Sequence, residues 1–163
     1  MPRLYSVPID NVTLSATSDL AQLNPASNKP IRFAGLFLWQ TTDVGDAQEE
    51  WLRFTVIRRT GTTSNGTGGT SVTPQPIGAT GQSAGFTVNR SIASASQGSG
   101  TDTVVMPLAM NIRAGIELLL PPELRPDFIH GDTTLEAGMI IRVPVAPNSS
   151  ISLSGFIAIE EEG

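Results

Sequence analysis

The stretch Trp51-Leu52-Arg53-Phe54-Thr55-Val56-Ile57-Arg58 constrains the fold more than any other part of the chain. Leu52, Phe54 and Val56 fall on one side of an extended backbone, with Arg53 and Thr55 on the other. Successive side chains of a strand point to opposite faces, so this period of two is the pattern of a half-buried β-strand. Ser150 to Glu160 repeats it: Ile151, Leu153, Ile157 and Ile159 share one side, with Gly155 between them. Val12 and Leu14 alternate with Thr13 and Ser15. Ile31 to Gln40 is a nearly continuous apolar run of strand length, as expected where both faces are covered. Leu4 to Ile9, Gly85 to Ile92, Thr103 to Asn111, Gly115 to Leu120 and Met139 to Val145 bring the expectation to about nine strands.

Helical signals are few. Asp43 to Glu50 is compatible with one turn opened by Asp43 or Asp46 as a cap. Pro122 to Leu124 suits another, because proline is preorganised for the first helical position. Neither is long enough to carry a fold. Pro8, Pro107 and Pro144 sit inside strand-like runs and cannot donate to a ladder, so they should mark edges, bulges or bends between sheets. The expected architecture is all-β: a β-sandwich, with a jelly roll as its most specific form.

With 163 residues the chain fits a single domain, residues 1–163, large enough to build a core without disulfide or metal staples. Charged residues make up 15%, low against about 25% in an average protein, and serine, threonine and asparagine supply much of the polar surface. Such a surface loses less hydration when covered, which suits packing against neighbours. Nine of the ten basic residues are arginine and only Lys29 is lysine. The net charge of −5 leaves no basic stripe to neutralise phosphates, so no direct nucleic-acid binding is expected. There is no cysteine, hence no disulfide and no thiolate metal site. Met1-Pro2-Arg3-Leu4-Tyr5 does not open onto an apolar run, so no signal peptide is expected. The apolar stretches Phe33 to Trp39 and Ile116 to Leu120 are too short to span a membrane.

Chemistry-bearing patterns are weak. His130 is the single histidine, with Asp127 and Asp132 near it, but no serine sits in a nucleophile-elbow context. A turn residue in Phe128-Ile129-His130-Gly131-Asp132 is the simpler reading. Asp43, Asp46, Glu49 and Glu50 cluster without the alternating oxygen ligands of a calcium loop. A capped turn with solvated acids accounts for them, and pairing with Arg53, Arg58, Arg59 or a neighbour is the alternative. Gly66-Thr67-Gly68-Gly69 lacks the lysine and following helix of a phosphate-binding loop. Glu160-Glu161-Glu162 reads as a solvated tail, and Trp39, Trp51 and Tyr5 read as core or interface anchors. No catalytic residue, cofactor or metal is expected, and the chain reads as a non-enzyme.

Two segments break the strand pattern. Residues 60–82 hold six glycines and seven threonines, and residues 93–101 form a second small polar tract. A loop as long as the first is either a free surface loop or an extension that orders against a neighbouring subunit. Its hydroxyls and exposed backbone suit hydrogen bonding to another chain's sheet edge.

The segments Gln40-Thr41-Thr42-Asp43-Val44-Gly45-Asp46-Ala47-Gln48-Glu49-Glu50 and Ala114-Gly115-Ile116-Glu117-Leu118-Leu119-Leu120-Pro121-Pro122-Glu123-Leu124-Arg125-Pro126 are distinctive together. With the Arg-Leu-Tyr opening and the last apolar strand ending in Glu160, they resemble a family of small proteins encoded among tailed-phage structural genes. The resemblance runs along most of the chain, with the Thr/Gly-rich loop as its variable part. It implies a virion protein, assembled in the host cytoplasm, similar to head decoration or cement proteins. Its partner would be the major capsid protein, which it would clamp as a homotrimer on the capsid surface. A tail, baseplate or fibre protein and a carbohydrate-binding surface module are the alternatives. In that setting the segments best placed to reach neighbours are an N-terminal arm or first strand (residues 1–8) and the 60–82 loop. The contact candidates are Pro2, Arg3, Leu4 and Tyr5 from the first, and Thr62, Thr63, Asn65, Thr67, Thr70 and Val72 from the second.

Overall fold

A computed structural model describes residues 2–42, 50–60, 68–78, 81–93, 101–129 and 138–163, the side chains of 91–93 excepted. Among them run β1 (Arg3–Leu14), β2 (Ser18–Asn24), β3 (Ile31–Gln40), β4 (Trp51–Thr60), β5 (Thr70–Val72) and β6 (Gln75–Pro76). They are followed by β7 (Thr87–Ala93), β8 (Thr101–Asn111), β9 (Ile116–Leu119), β10 (Asp127–Phe128), β11 (Gly138–Val143) and β12 (Ile151–Glu161). One 3₁₀ turn, Pro122–Leu124, starts on proline as its sequence suggests. No helix among the described residues is long and apolar enough to cross a membrane.

The strands form two antiparallel six-stranded sheets. Sheet I has the order β10-β3-β12-β1-β6, with β9 also on β3; sheet II has the order β5-β7-β2-β11-β4-β8. The chain changes sheet from β1 to β2, β2 to β3, β3 to β4, β5 to β6, β6 to β7, β8 to β9, β10 to β11 and β11 to β12. It therefore winds around one apolar core. Tyr5, Val7, Ile9, Leu36, Leu38, Ile157 and Ile159 of sheet I meet Leu23, Phe54, Val56, Met139 and Ile141 of sheet II there. The molecule is an all-β sandwich.

The alternation read from the sequence places these side chains correctly. Leu52, Phe54 and Val56 are buried in β4, and Ile151, Leu153, Ile157 and Ile159 are buried in β12. The segments Leu4 to Ile9 and Val12 to Leu14 prove to be one strand, interrupted by a bulge between Ile9 and Val12. In that bulge Asn11 takes φ 48°, the left-handed region that asparagine tolerates better than most residues. Pro8 and Pro107 guard edges as expected, whereas Pro144 follows the end of β11. Leu4 accepts from the Ile77 N–H, so the even residues of β1 turn their backbone outward towards β6. Pro8 occupies that outward series without a donor, and its carbonyl is covered by Arg90 Nη1 at 3.3 Å. Pro107 lies in β8, the last strand of sheet II.

Three expectations need correcting. Of the two alternatives for the N-terminal residues, the arm gives way to the first strand: β1 pairs with β12 from Arg3 opposite Glu161 onward, and Tyr5 is fully buried, edge-on to Phe86. The inward parity that Tyr5 shares with Val7 and Ile9 leaves its side chain no exposed surface, so it can meet a partner only through the cavity it helps to line. Residues 60–82 are not one loop, since β5 pairs with β7 and β6 pairs with β1. Both additions are short because Pro74 and Pro76 limit the donors available to a ladder. Finally, Glu161 is buried rather than solvated: its Oε1 accepts the Gly85 N–H at 2.5 Å. The expected turn in residues 43–50 (apart from Glu50), the 93–101 tract up to residue 100, Gly66-Thr67, His130 and Asp132 lie outside the described residues.

Candidate functional site

The two outer faces of the sandwich differ in chemistry. On sheet I the residues between the core-facing positions of β3 and β12 include Phe37 and Phe156, which pair in register. Their rings stack at 4.6 Å with 14° between planes. Strands in a sheet lie about 4.8 Å apart, so two parallel rings at this spacing stand upright on the sheet with their edges outward. Both are only half-buried. Leu119 of β9, opposite Gly35, adds a side chain 61% exposed, and Trp39 adds one 38% exposed. Two glycines shape this face. A Cβ on Gly155, with φ 150°, would overlap the Phe37 carbonyl oxygen, so β12 and β3 come together there only because residue 155 has no side chain. A Cβ on Gly115, with φ 75°, would lie 2.6 Å from Trp39 Cδ1; the indole lies against that bare backbone.

Charge and hydroxyl groups frame the patch. At one end Arg32 contacts Asp127, Glu160 and Glu162, and Arg125 bonds Glu160 and the Leu120 carbonyl. The bond from the Arg32 guanidinium to Asp127 is the main reason its pKa is raised. Beside this group Arg58 donates to the Asp127 carbonyl at 2.7 Å and lies over the Phe128 ring at 5.4 Å. At the other end Ser154 Oγ accepts the Asn11 N–H at 2.9 Å, and Thr13 and Ser152 share a hydrogen bond.

Sheet II carries ions on its outer side. Arg142 forks onto Asp19 through Nε at 2.6 Å and Nη2 at 3.2 Å, and reaches Asp102 with Nη1. Asp102 in turn receives Nε and Nη2 of Arg59. The four residues come from β2, β11, β8 and β4, so one ladder of alternating charge ties those strands together. Asp19 and Arg59 are fully buried, as are Gln22 and Ile140 in the same outward rows. The hydrogen bond that Arg142 donates to Asp19 is the largest cause of its raised pKa, ahead of the opposing effect of burial. Bidentate, charge-assisted pairing of this kind offsets the desolvation of the two ions.

The contact candidates divide between the two sheets. Pro2, Arg3, Leu4 and Tyr5 line a cavity of about 340 Å³ together with Pro76, Ile77 and Gly78, at the β1–β6 edge of sheet I. Thr70 is exposed in β5 on sheet II, whereas Val72 packs against the core. Thr62, Thr63, Asn65 and Thr67 lie outside the described residues. Phe37, Phe156 and Ile77 escaped the sequence reading. The signal for the two phenylalanines was present as parity, since each falls out of step with its strand's core residues. Trp51, expected as a core or interface anchor, is 67% exposed at the start of β4. Among the described residues no group of three or more His, Asp or Glu side chains is arranged to hold a metal ion. Searches against protein-family models, curated proteins and solved structures found no match to this chain.

Proposed function

We propose that this chain is a non-catalytic assembly protein of a tailed-phage particle: a decoration or cement protein that binds the outer surface of the major capsid lattice as a homotrimer. The observation that carries the assembly reading is the outer face of sheet I. A sheet face that holds stacked, half-buried phenylalanines beside exposed Leu119 and Trp39 has the apolar centre and polar frame of a protein contact surface. The strand order adds to it. We infer a jelly roll: β1-β12-β3-β9 faces β2-β11-β4-β8, with β5 to β7 inserted between β4 and β8. Viral capsid domains and lectins both use that fold, so the choice between them falls to the site.

The face fits a protein partner better than a sugar. Pyranose rings stack on exposed aromatic faces, whereas Phe37 and Phe156 cover each other's faces and turn edges outward. The phage setting comes from the resemblance of the Gln40–Glu50 and Ala114–Pro126 segments described above. Repetition on a lattice lets many modest contacts act together, so each patch can be small. Electron microscopy of intact particles carrying this chain tests the proposal. Density of its mass at threefold positions on the head is the expected result, and density confined to the tail would overturn it.

A further inference from the structure

We propose that the cavity at the β1–β6 edge receives an aliphatic side chain from a partner protein whose neighbouring residue carries a carboxylate. At about 340 Å³ the cavity is at the small end of ligand sites, suited to one side chain rather than a cofactor. Pro2, Leu4, Pro76 and Ile77 give it apolar walls, and Ile77 is 51% exposed, a large side chain left open at the rim. Arg3 supplies the charge. Its register partner Glu161 turns Oε1 to the Gly85 N–H instead, and among the described residues no carboxylate forms an ion pair with Arg3. An unpaired guanidinium beside an apolar wall is complementary to an acidic group next to an aliphatic one.

The edge itself selects this mode of recognition. The backbone of Leu4 is already occupied by the Ile77 N–H, and β6 stands between β1 and any added strand. Pro76 alternates with Gln75 and Ile77, so its position faces away from β1, and it has no N–H to offer an incoming strand. Strand addition is therefore blocked here, and side chains must carry the contact. Leu4 belongs to the outward row of β1 and Arg3 and Tyr5 to the inward one, so the cavity lies at the edge between the two faces of sheet I. That the occupant is a protein rests on the assembly reading; the chemistry of the pocket does not.

The test uses the full chain, ¹⁵N-labelled, titrated with acetyl-Leu-Glu-amide, acetyl-Leu-Gln-amide, acetyl-Ser-Glu-amide and N-acetyl-leucine. Saturable shifts centred on Tyr5, Ile77 and Gly78 are expected, with the Leu-Glu peptide bound about tenfold more tightly than either single-feature control, the size of one charge-assisted hydrogen bond. Arg3→Gln should reduce Leu-Glu binding to the Leu-Gln level with the rest of the spectrum unchanged, and Ile77→Ser should erase the preference for leucine over serine. Equal binding of Leu-Glu and Leu-Gln, or no saturable shift at these residues, would overturn the proposal. Tighter binding of N-acetyl-leucine than of the peptide would also overturn it, in favour of a small-acid site. Because the probes need no capsid, their failure leaves the assembly reading intact. Failure of the assembly reading would show instead as particle occupancy that ignores the sheet I face.

Discussion

Sheets I and II enclose the same core, yet their outer faces are finished in opposite ways. Sheet II turns its chemistry on itself: Asp19, Arg142, Asp102 and Arg59 pair with one another across four strands, with Arg59 Nη1 buried and unpartnered, and Asp19 and Arg59 have no exposed surface. Sheet I leaves its chemistry open, with Phe37 and Phe156 half-buried and Leu119 and Trp39 facing outward. Groups that hold the fold together are thus kept apart from groups left for contact. Ions taken out of water must be paired within the fold, and the loss of one partner is costly. Apolar rings at a surface cost little to the monomer and become useful when a second surface covers them.

The largest effect should come from breaking sheet II. Asp19→Ala removes the carboxylate that two bonds from Arg142 depend on and leaves that partly exposed guanidinium with Asp102 alone, a loss of about 3 kcal/mol, the low end for breaking a buried pair. A shift of the urea midpoint of that size, without a change in slope, is the expected reading. An effect no larger than a surface substitution would show that the ladder does not hold the strands. Gly155→Ala should follow, at about 1–3 kcal/mol for the strained φ alone, with the overlap against the Phe37 carbonyl added to it. It would mark the one place where the open face of sheet I depends on backbone geometry. Phe156→Ala should cost the monomer only about 1 kcal/mol, the scale of one stacked aromatic pair, when thermal unfolding is compared with wild type. A loss near that of Asp19→Ala would mean that the two faces do not differ as described.

The smallest effect concerns pH. Arg142 has a raised pKa, chiefly through its bond to Asp19, so its contribution is complete below the ordinary arginine pKa and is lost only as pH rises through the raised value. The stability difference between wild type and Arg142→Met should therefore stay flat from about pH 6 to 10, a range below any arginine titration. A decline within that range would show that the ladder is not held by the guanidinium.

How much of this was legible beforehand depends on parity. Where one row of a strand is apolar and the other polar, as in β4 from Leu52 to Phe54, period and burial agree. β2 was missed because Ser-Asp-Leu-Ala-Gln-Leu-Asn buries polar and apolar rows alike: Asp19 and Gln22 are as enclosed as Leu20 and Leu23. No periodicity marks a strand whose outward residues are also covered. Glu161 misled for a related reason, since a terminal acid looks solvated until the Gly85 N–H is brought to it by a distant part of the chain. Tyr5 was legible as an anchor but not as a contact; its inward side is fixed by Val7 and Ile9, which share its parity. The open face of sheet I needed the register, because Phe37 and Phe156 are 119 positions apart and meet only when β3 pairs with β12. The cavity at the β1–β6 edge needed β6, a strand of two residues that composition hid inside a Thr/Gly-rich tract.

Contact through the outer face of sheet I is best tested by co-sedimentation with particles that lack this chain. A Phe37→Ser/Phe156→Ser variant with an unchanged circular dichroism spectrum should lose most of its particle occupancy, while a control substitution at exposed Thr70 on sheet II keeps it. Undiminished occupancy of the double variant would contradict the account.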